Sequence, residues 1–197
     1  MPQEAAITGI WEIDPAHSRV GFSTRHAMVS RVRGAFSDVS GEALIDGGDV
    51  ASSTVSVVIG TASVDTRNEG RDEHLRSADF FNVEEYPEMR FEATGIDEVD
   101  ENSFVVTGPL TIRGVTKTVS LPLELIGINT DHMGMLRAGL EGTRRIDRKD
   151  WEVSWNKALD SSGLLVSDKI TLEFELSLIK SQDPEVPSKS SQDKRSS

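Results

Sequence analysis

The feature that most limits this chain is a period-two alternation of apolar and polar residues along nearly its whole body. Val20, Phe22, Thr24 and His26 fall on one side of an extended segment, with Arg19, Ser23 and Arg25 on the other. Val55, Val57 and Ile59 repeat the pattern, as do Leu121, Leu123 and Leu125, then Leu136, Ala138 and Leu140. The last run is the cleanest, with Ile170, Leu172, Phe174, Leu176 and Leu178 against Thr171, Glu173, Glu175 and Ser177. Neighbouring side chains on a strand point to opposite sides, so each run has one apolar face and one wet face. Those apolar faces need a cover, and only one stretch reads as helix. Asn68 can cap a turn carrying Glu69, Asp72 and Glu73, with Leu75 and Ala78 on one side, so a short helix is expected near residues 69–78. One such helix cannot cover the sheet. An all-β fold is therefore expected, an antiparallel sheet of about eight strands curled into a barrel. A barrel of that size either fills its interior with side chains or holds one small ligand, and the inward Val, Ala and Leu suit both.

Turn residues separate the runs. Asp46-Gly47-Gly48-Asp49 and Asp97 to Ser103 read as hairpin connections, with shorter breaks at Asn129-Thr130-Asp131 and Ser161-Ser162-Gly163. Residues 1–180 form one expected domain. Residues 181–197 are rich in Ser, Lys, Asp and Gln with one apolar residue, Val186, and are expected to be a disordered tail. Its acids and bases balance, so the whole formal charge of −12 sits on the body. That charge disfavours nucleic acid and anionic membrane surfaces. The absence of cysteine excludes disulfides, thiolate metal sites and thiol nucleophiles. No apolar run is long enough to span a bilayer as a helix, and the first residues carry no signal-like stretch. A cytoplasmic location is the expectation. Strand edges beside an incompletely closed barrel would allow a homodimer.

Candidate chemistry has competing structural readings. Asp14-Pro15-Ala16-His17-Ser18 suggests an acid, a base and a nucleophile, but His17 and Ser18 would face opposite sides of an extended chain. A turn leading into a strand is favoured. The four histidines, His17, His26, His74 and His132, show no metal-ligand spacing, and no metal or other cofactor is expected. Asp97, Asp100 and Asn102, with Val99 and Glu101 between them, do not follow a calcium-loop pattern and read as a solvated hairpin tip. Arg71 and His74 share a helix face and can anchor the helix or meet a polar ligand head. Arg144, Arg145, Arg148 and Lys149 form the densest basic patch. They suit phosphate or carboxylate, with local ion pairs to Asp147 and Asp150 as the alternative.

A set of motifs in order then bears on family. They are Asp14-Pro15-Ala16-His17-Ser18 with Val20, Phe22 and His26; Val32-Arg33-Gly34-Ala35-Phe36; Ser63-Val64-Asp65-Thr66; and Arg71-Asp72-Glu73-His74-Leu75. Phe80-Phe81, Tyr86-Pro87 and Phe91 follow, then Val106 to Lys117 and Arg148-Lys149-Asp150-Trp151. Across about residues 11–180 the chain resembles the YceI-like family of polyisoprenoid-binding, lipocalin-like proteins. The resemblance implies an extended eight-stranded barrel with an apolar tunnel that takes a polyisoprenoid, such as a prenyl pyrophosphate or a quinone tail, without chemistry on it. Many relatives carry a secretion signal. Trp151 stands where relatives often have Phe, a change that would narrow or plug the tunnel.

The expected protein is thus a non-enzymatic carrier or store for a long apolar lipid. Its tunnel wall is expected to include Phe22, Phe36, Val57, Ile59, Phe91, Leu123, Leu140, Phe174 and Leu176. Arg144, Arg145 and Arg148 are the first head-group candidates, with His26 and His74 second. Burying a methylene stabilises by about 0.8 kcal/mol, so about forty carbons would total ~30 kcal/mol, above the ~20 kcal/mol ceiling of noncovalent affinity. Ordering costs must remove much of that, and selectivity then depends on tunnel length and head group. The rivals are an enzyme acting on an isoprenoid lipid, for which no DDxxD-like magnesium run is present, and a structural or stress-related module with a filled core.

Overall fold

Among the described residues the alternating runs form twelve strands in a single antiparallel sheet. The computed structural model describes residues 4–93, 95–159 and 165–182. The strands are β1 (Gly9–Ile13), β2 (Arg19–His26), β3 (Ser30–Phe36), β4 (Val39–Ile45), β5 (Thr54–Gly60), β6 (Val64–Asp65), β7 (Glu88–Ala93), β8 (Gly95–Asp100), β9 (Ser103–Ile112), β10 (Val115–Thr130), β11 (Leu136–Asp147) and β12 (Lys169–Lys180). A four-residue turn of helix, α1 (Glu4–Ile7), precedes them, and α2 (Glu69–Arg76) lies between β6 and β7.

Eight positions close the ring, in the order β1, β4, β5, β7, β9, β10, β11, β12 and back to β1. Closure comes from Trp11 opposite Lys180 and Ile13 opposite Leu178. The strand count exceeds the ring count because β1 with β2, β3 with β4, β5 with β6 and β7 with β8 occupy one position each. β12 pairs with β2 through residues 171–175 and with β1 through residues 178–180. Between β1 and β2 stands a short turn at Pro15–His17, which Asp14 caps by accepting from the Ala16 amide at 3.1 Å.

α2 begins at the expected cap, where the Asn68 side chain accepts from the Arg71 amide at 2.9 Å. It ends two residues earlier than expected, and Ala78 is exposed rather than packed with Leu75. Asp72 is buried and accepts from the Thr66 amide at 2.9 Å and from the Thr66 hydroxyl. Arg71 reaches back to Thr66 as well, so this helix face is used as an anchor. The Asp97 to Ser103 segment is also more ordered than a loop. Asp97 and Glu98 pair with Val105 and Phe104, leaving a turn that Asp100 tightens by accepting from Asn102 and Ser103 amides. The expected break at 161–163 and the tail from residue 183 lie outside the described residues.

Two details set the barrel's shape. At Gly108 a Cβ would overlap the Glu92 carbonyl, so β9 and the β7 end approach as closely as backbones allow. The β10–β11 ladder runs only as far as Glu124 opposite Glu141. It stops beside Pro122, which has no N–H to offer, and a Cβ at Gly142 would overlap the Pro122 carbonyl. Beyond that point β10 stays with β9 and β11 with β12.

The Asp14 motif is a latch. Arg137 donates to Asp14 Oδ2 and to Asp131 Oδ2, each at 2.7 Å, and His17 Nδ1 lies 2.7 Å from the same Asp14 oxygen. The Ser18 hydroxyl accepts from the Ser177 amide at 2.9 Å. These bonds tie the β1–β2 joint to β12 and to the β10–β11 hairpin.

Gly108→Ala is expected to lower stability by about 1–3 kcal/mol in urea titration. Gly127→Ala, with open space around its Cβ, should leave stability unchanged or raise it by up to ~1 kcal/mol. The latch predicts an acid response. Hydrogen bonding from Arg137 holds the Asp131 carboxyl at about 2 and pulls Asp14 below its ordinary value. A depressed carboxyl stabilises the fold above its unfolded value of about 3.9, and that stability goes as pH falls toward the folded value. Thermal melting should therefore drop between about pH 4 and pH 2, and Arg137→Met should make that drop smaller.

Candidate functional site

The barrel is hollow. Phe22, Leu123, Leu140, Leu172, Phe174 and Leu176 face its interior yet are only half-buried, although each belongs to a strand with a partner on at least one side. In an interior filled with side chains these positions would be sealed. They border a cavity of about 740 Å³. This lies within the roughly 300–1,000 Å³ of sites that enclose small molecules. Buried apolar residues form a large cluster, including Val20, Phe36, Phe91 and Trp151, and a smaller one around Trp11, Ala43 and Ala138. The cavity touches both clusters.

All nine wall residues named from alternation border it: Phe22, Phe36, Val57, Ile59, Phe91, Leu123, Leu140, Phe174 and Leu176. Residues from every strand position of the ring contribute. Inward residues of β12 from Ile170 to Leu178 run along it, which at roughly 3.3 Å per residue is about 26 Å of strand.

The two ends differ. At the end holding α2 and the β9–β10 turn, Leu75, Phe80, Phe81, Trp151 and Val153 lie against the cavity. Trp151 is 2% exposed, and its indole N–H donates to the Leu110 carbonyl at 2.9 Å. Phe81 meets Phe36 edge-on at 5.7 Å between ring centres. We refer to this as the deep end. At the other end the wall includes Gly48, Asp49, Ala51, Asp97, Glu98 and Glu101, all exposed to solvent. Here the cavity meets water.

The basic residues named as head-group candidates are not brought together on the wall. Arg145 lies opposite Thr171 on the outer face and is exposed. Arg144 has the inward parity of Leu140 and Ile146, but it sits where β11 has left β10, and its side chain is exposed and off the wall. His26 is exposed at the end of β2, where it bridges to Val166. His74 Nε2 lies 2.8 Å from Asp79 Oδ2, with the ring edge-on to Phe80 and Trp155 at 5.0 and 4.5 Å. It packs behind the deep end rather than lining it.

Arg148 alone of these borders the cavity, and it is 5% exposed. Its guanidinium donates to the carbonyls of Ser167, Val153 and Trp155 at 3.1, 2.8 and 2.9 Å, and to Asp168 at 3.4 Å. Burial pulls it below the ordinary arginine value against the attraction of Asp168 and Asp147. The sequence pattern of the patch suits an anion site or local ion pairs, and Arg148 does neither chiefly: it braces the segment that closes the deep end. Of the patch, Lys149 pairs with Asp168 at 2.9 Å, while Asp147 pairs with Lys169 on β12 at 2.9 Å.

Residues that sequence reasoning missed are the acids of the open end. Asp97 to Ser103 reads by composition as a tip, yet Ile96 and Glu98 are two apart and share the inward face of Val106 and Phe104. That alternation was the available signal. Among the described residues no group of His, Asp and Glu is arranged to hold a metal.

Arg148→Met should leave three carbonyls without their donor and lower stability by about 3 kcal/mol in urea titration. Amide exchange at residues 153–157 should quicken, while that of the β4–β5 pair should not.

Comparison with known proteins agrees with this architecture. The family model described as YceI-like domain matches residues 11–178. A UPF0312 protein of Photorhabdus laumondii is 42% identical over 140 residues, 71% of this chain and 72% of that one. Protein YceI of Escherichia coli is 39% identical over 151 residues, 76% of this chain and 78% of that one. Among solved structures, BcnA of Burkholderia cenocepacia superposes with a TM-score of 0.73 at 25% identity, covering 84% of this chain and 98% of its own. A polyisoprenoid binding domain from Saccharophagus degradans shares the fold, with a TM-score of 0.66 at 16% identity over 87% of this chain and 98% of its own. With the family model spanning most of its strands, this chain belongs to the YceI-like family.

Proposed function

We propose that this protein retains a long apolar molecule, an isoprenoid lipid, in the barrel cavity and carries or stores it without altering it. The observation that carries the reading is the half-buried inner wall. Leu123, Leu140, Phe174 and Leu176 face space that no side chain of the barrel fills. An apolar cavity open at one end gives a hydrocarbon tail a dry place, and each methylene moved into it from water is worth about 0.8 kcal/mol. Head-to-tail length of the wall favours an extended chain over a compact ligand. Family membership supports the reading, and the fold neighbour from Saccharophagus degradans is a polyisoprenoid binding domain.

Protein purified without detergent should release an isoprenoid chain on solvent extraction, identified by lipid mass spectrometry. Leu123→Asp or Leu140→Asp, at half-buried wall positions, should fold, by far-ultraviolet circular dichroism, and lose that lipid. Full lipid content in either folded variant would refute the wall assignment. Retention without chemistry expects an added isoprenoid to be recovered with its mass unchanged after incubation.

A further inference from the structure

We infer that the cavity accepts isoprenoid chains whose polar end is uncharged or cationic, such as an alcohol, a quinone or an ammonium, and rejects the diphosphates of the same chains. The inference rests on the carriage reading and adds a rule for the head group.

At the deep end the cavity meets Leu75, Phe80, Phe81 and Trp151. The polar side chains on the wall there are Thr24 and Arg148. Thr24 donates to the Lys169 carbonyl at 3.5 Å, and Arg148 is held by three carbonyls and Asp168. A polar or charged head placed there would lose its water and meet aromatic rings, a costly exchange. The tail therefore enters first, and the head stays at the open end.

Asp49, Asp97, Glu98 and Glu101 belong to the wall at that end. Asp49, Asp97 and Glu98 have no ion pair with any described residue. The cation nearest in register is Lys180, opposite Trp11 on β12, and its ammonium is tied to the Ala6 carbonyl at 2.9 Å, off the wall. Arg137, also at this end, is spent on Asp14 and Asp131. Among the described residues the charged side chains of the wall at that end are acids, and such a mouth with low-dielectric walls concentrates counter-ions and repels ions of its own sign. A diphosphate seated there would lie within a Debye length, about 10 Å at 0.1 M salt, of several carboxylates. The formal charge of −12 adds repulsion at longer range.

The test uses the full chain stripped of lipid, without divalent cations, and follows quenching of tryptophan fluorescence, since Trp11 and Trp151 both border the cavity. Geranylgeraniol, geranylgeranyl diphosphate and a geranylgeranyl trimethylammonium salt are titrated at low and high salt. The alcohol and the ammonium should bind, with the diphosphate weaker by about tenfold or more at low salt. That gap should narrow at high salt, an arm that uses the unaltered chain. In the variant Asp49→Asn, Asp97→Asn, Glu98→Gln, Glu101→Gln the ratio of diphosphate to alcohol affinity should move toward one. Diphosphate binding as tight as that of the alcohol, or a gap indifferent to salt, overturns the head-group rule alone. Failure of all three ligands to bind overturns the carriage reading beneath it.

Discussion

A sheet with one apolar face and almost no helix to lay against it has to cover itself, and the rest of this molecule follows from how it does so. Eight strand positions close through the short β1–β12 pairing, and β12 carries β1 and β2 in turn along the same edge. Closure removes the unpaired rim that an open sheet would expose. It also fixes a circumference, and at this circumference the inward residues decide what the interior contains. Here they are mostly Val, Leu, Ile and Phe, which are too short to meet across the middle. A hollow interior is therefore a consequence of ring size and residue size together.

That hollow has an energetic consequence. Inner-face residues such as Leu140, Leu172 and Phe174 remain half-exposed, so the wall gains less from burial than a packed core would. Stability has to come from places where packing is complete. The deep end is one, with Val64 fully buried and Trp151 nearly so. The latch of Asp14, Arg137 and Asp131 adds hydrogen bonds, rather than packing, where the β1–β2 strand bends. A ligand that fills the cavity binds only the folded chain and adds stability by mass action. Binding and folding thus draw on the same apolar wall.

Much of the wall was legible in the sequence because alternation is a local property. Parity along a strand assigns Phe22, Val57, Leu123 and Phe174 to one face without knowledge of the fold. The head-group candidates show where such reasoning ends. Arg144 has inward parity, but Pro122 stops the β10–β11 ladder beside it, and the strand has left its neighbour at that position. Arg148 does reach the wall, yet its donors are taken by carbonyls that are distant in sequence and close only after folding. Basic residues clustered in sequence report a charge density. They do not report which side of a wall that charge occupies, or what already neutralises it. The acids of the open end failed in the opposite sense, because their composition resembles a turn and masks the inward parity of Glu98.

The contrast between the two ends gives the cavity a direction. Aromatic rings and a fully engaged guanidinium close one end, and carboxylates of the β4–β5 connection and of β8 with its turn flank the other. Hydrophobic transfer is nearly indifferent to orientation, since a methylene gains the same wherever along the wall it rests. The polar end of a ligand supplies the missing preference, because only one end of the cavity keeps it in water. On the proposed reading, chain length governs how strongly a ligand is held, and charge at the mouth governs which heads are admitted. Affinity and specificity would then reside in different residues, so either could change by substitution while the barrel and its bore stay as they are.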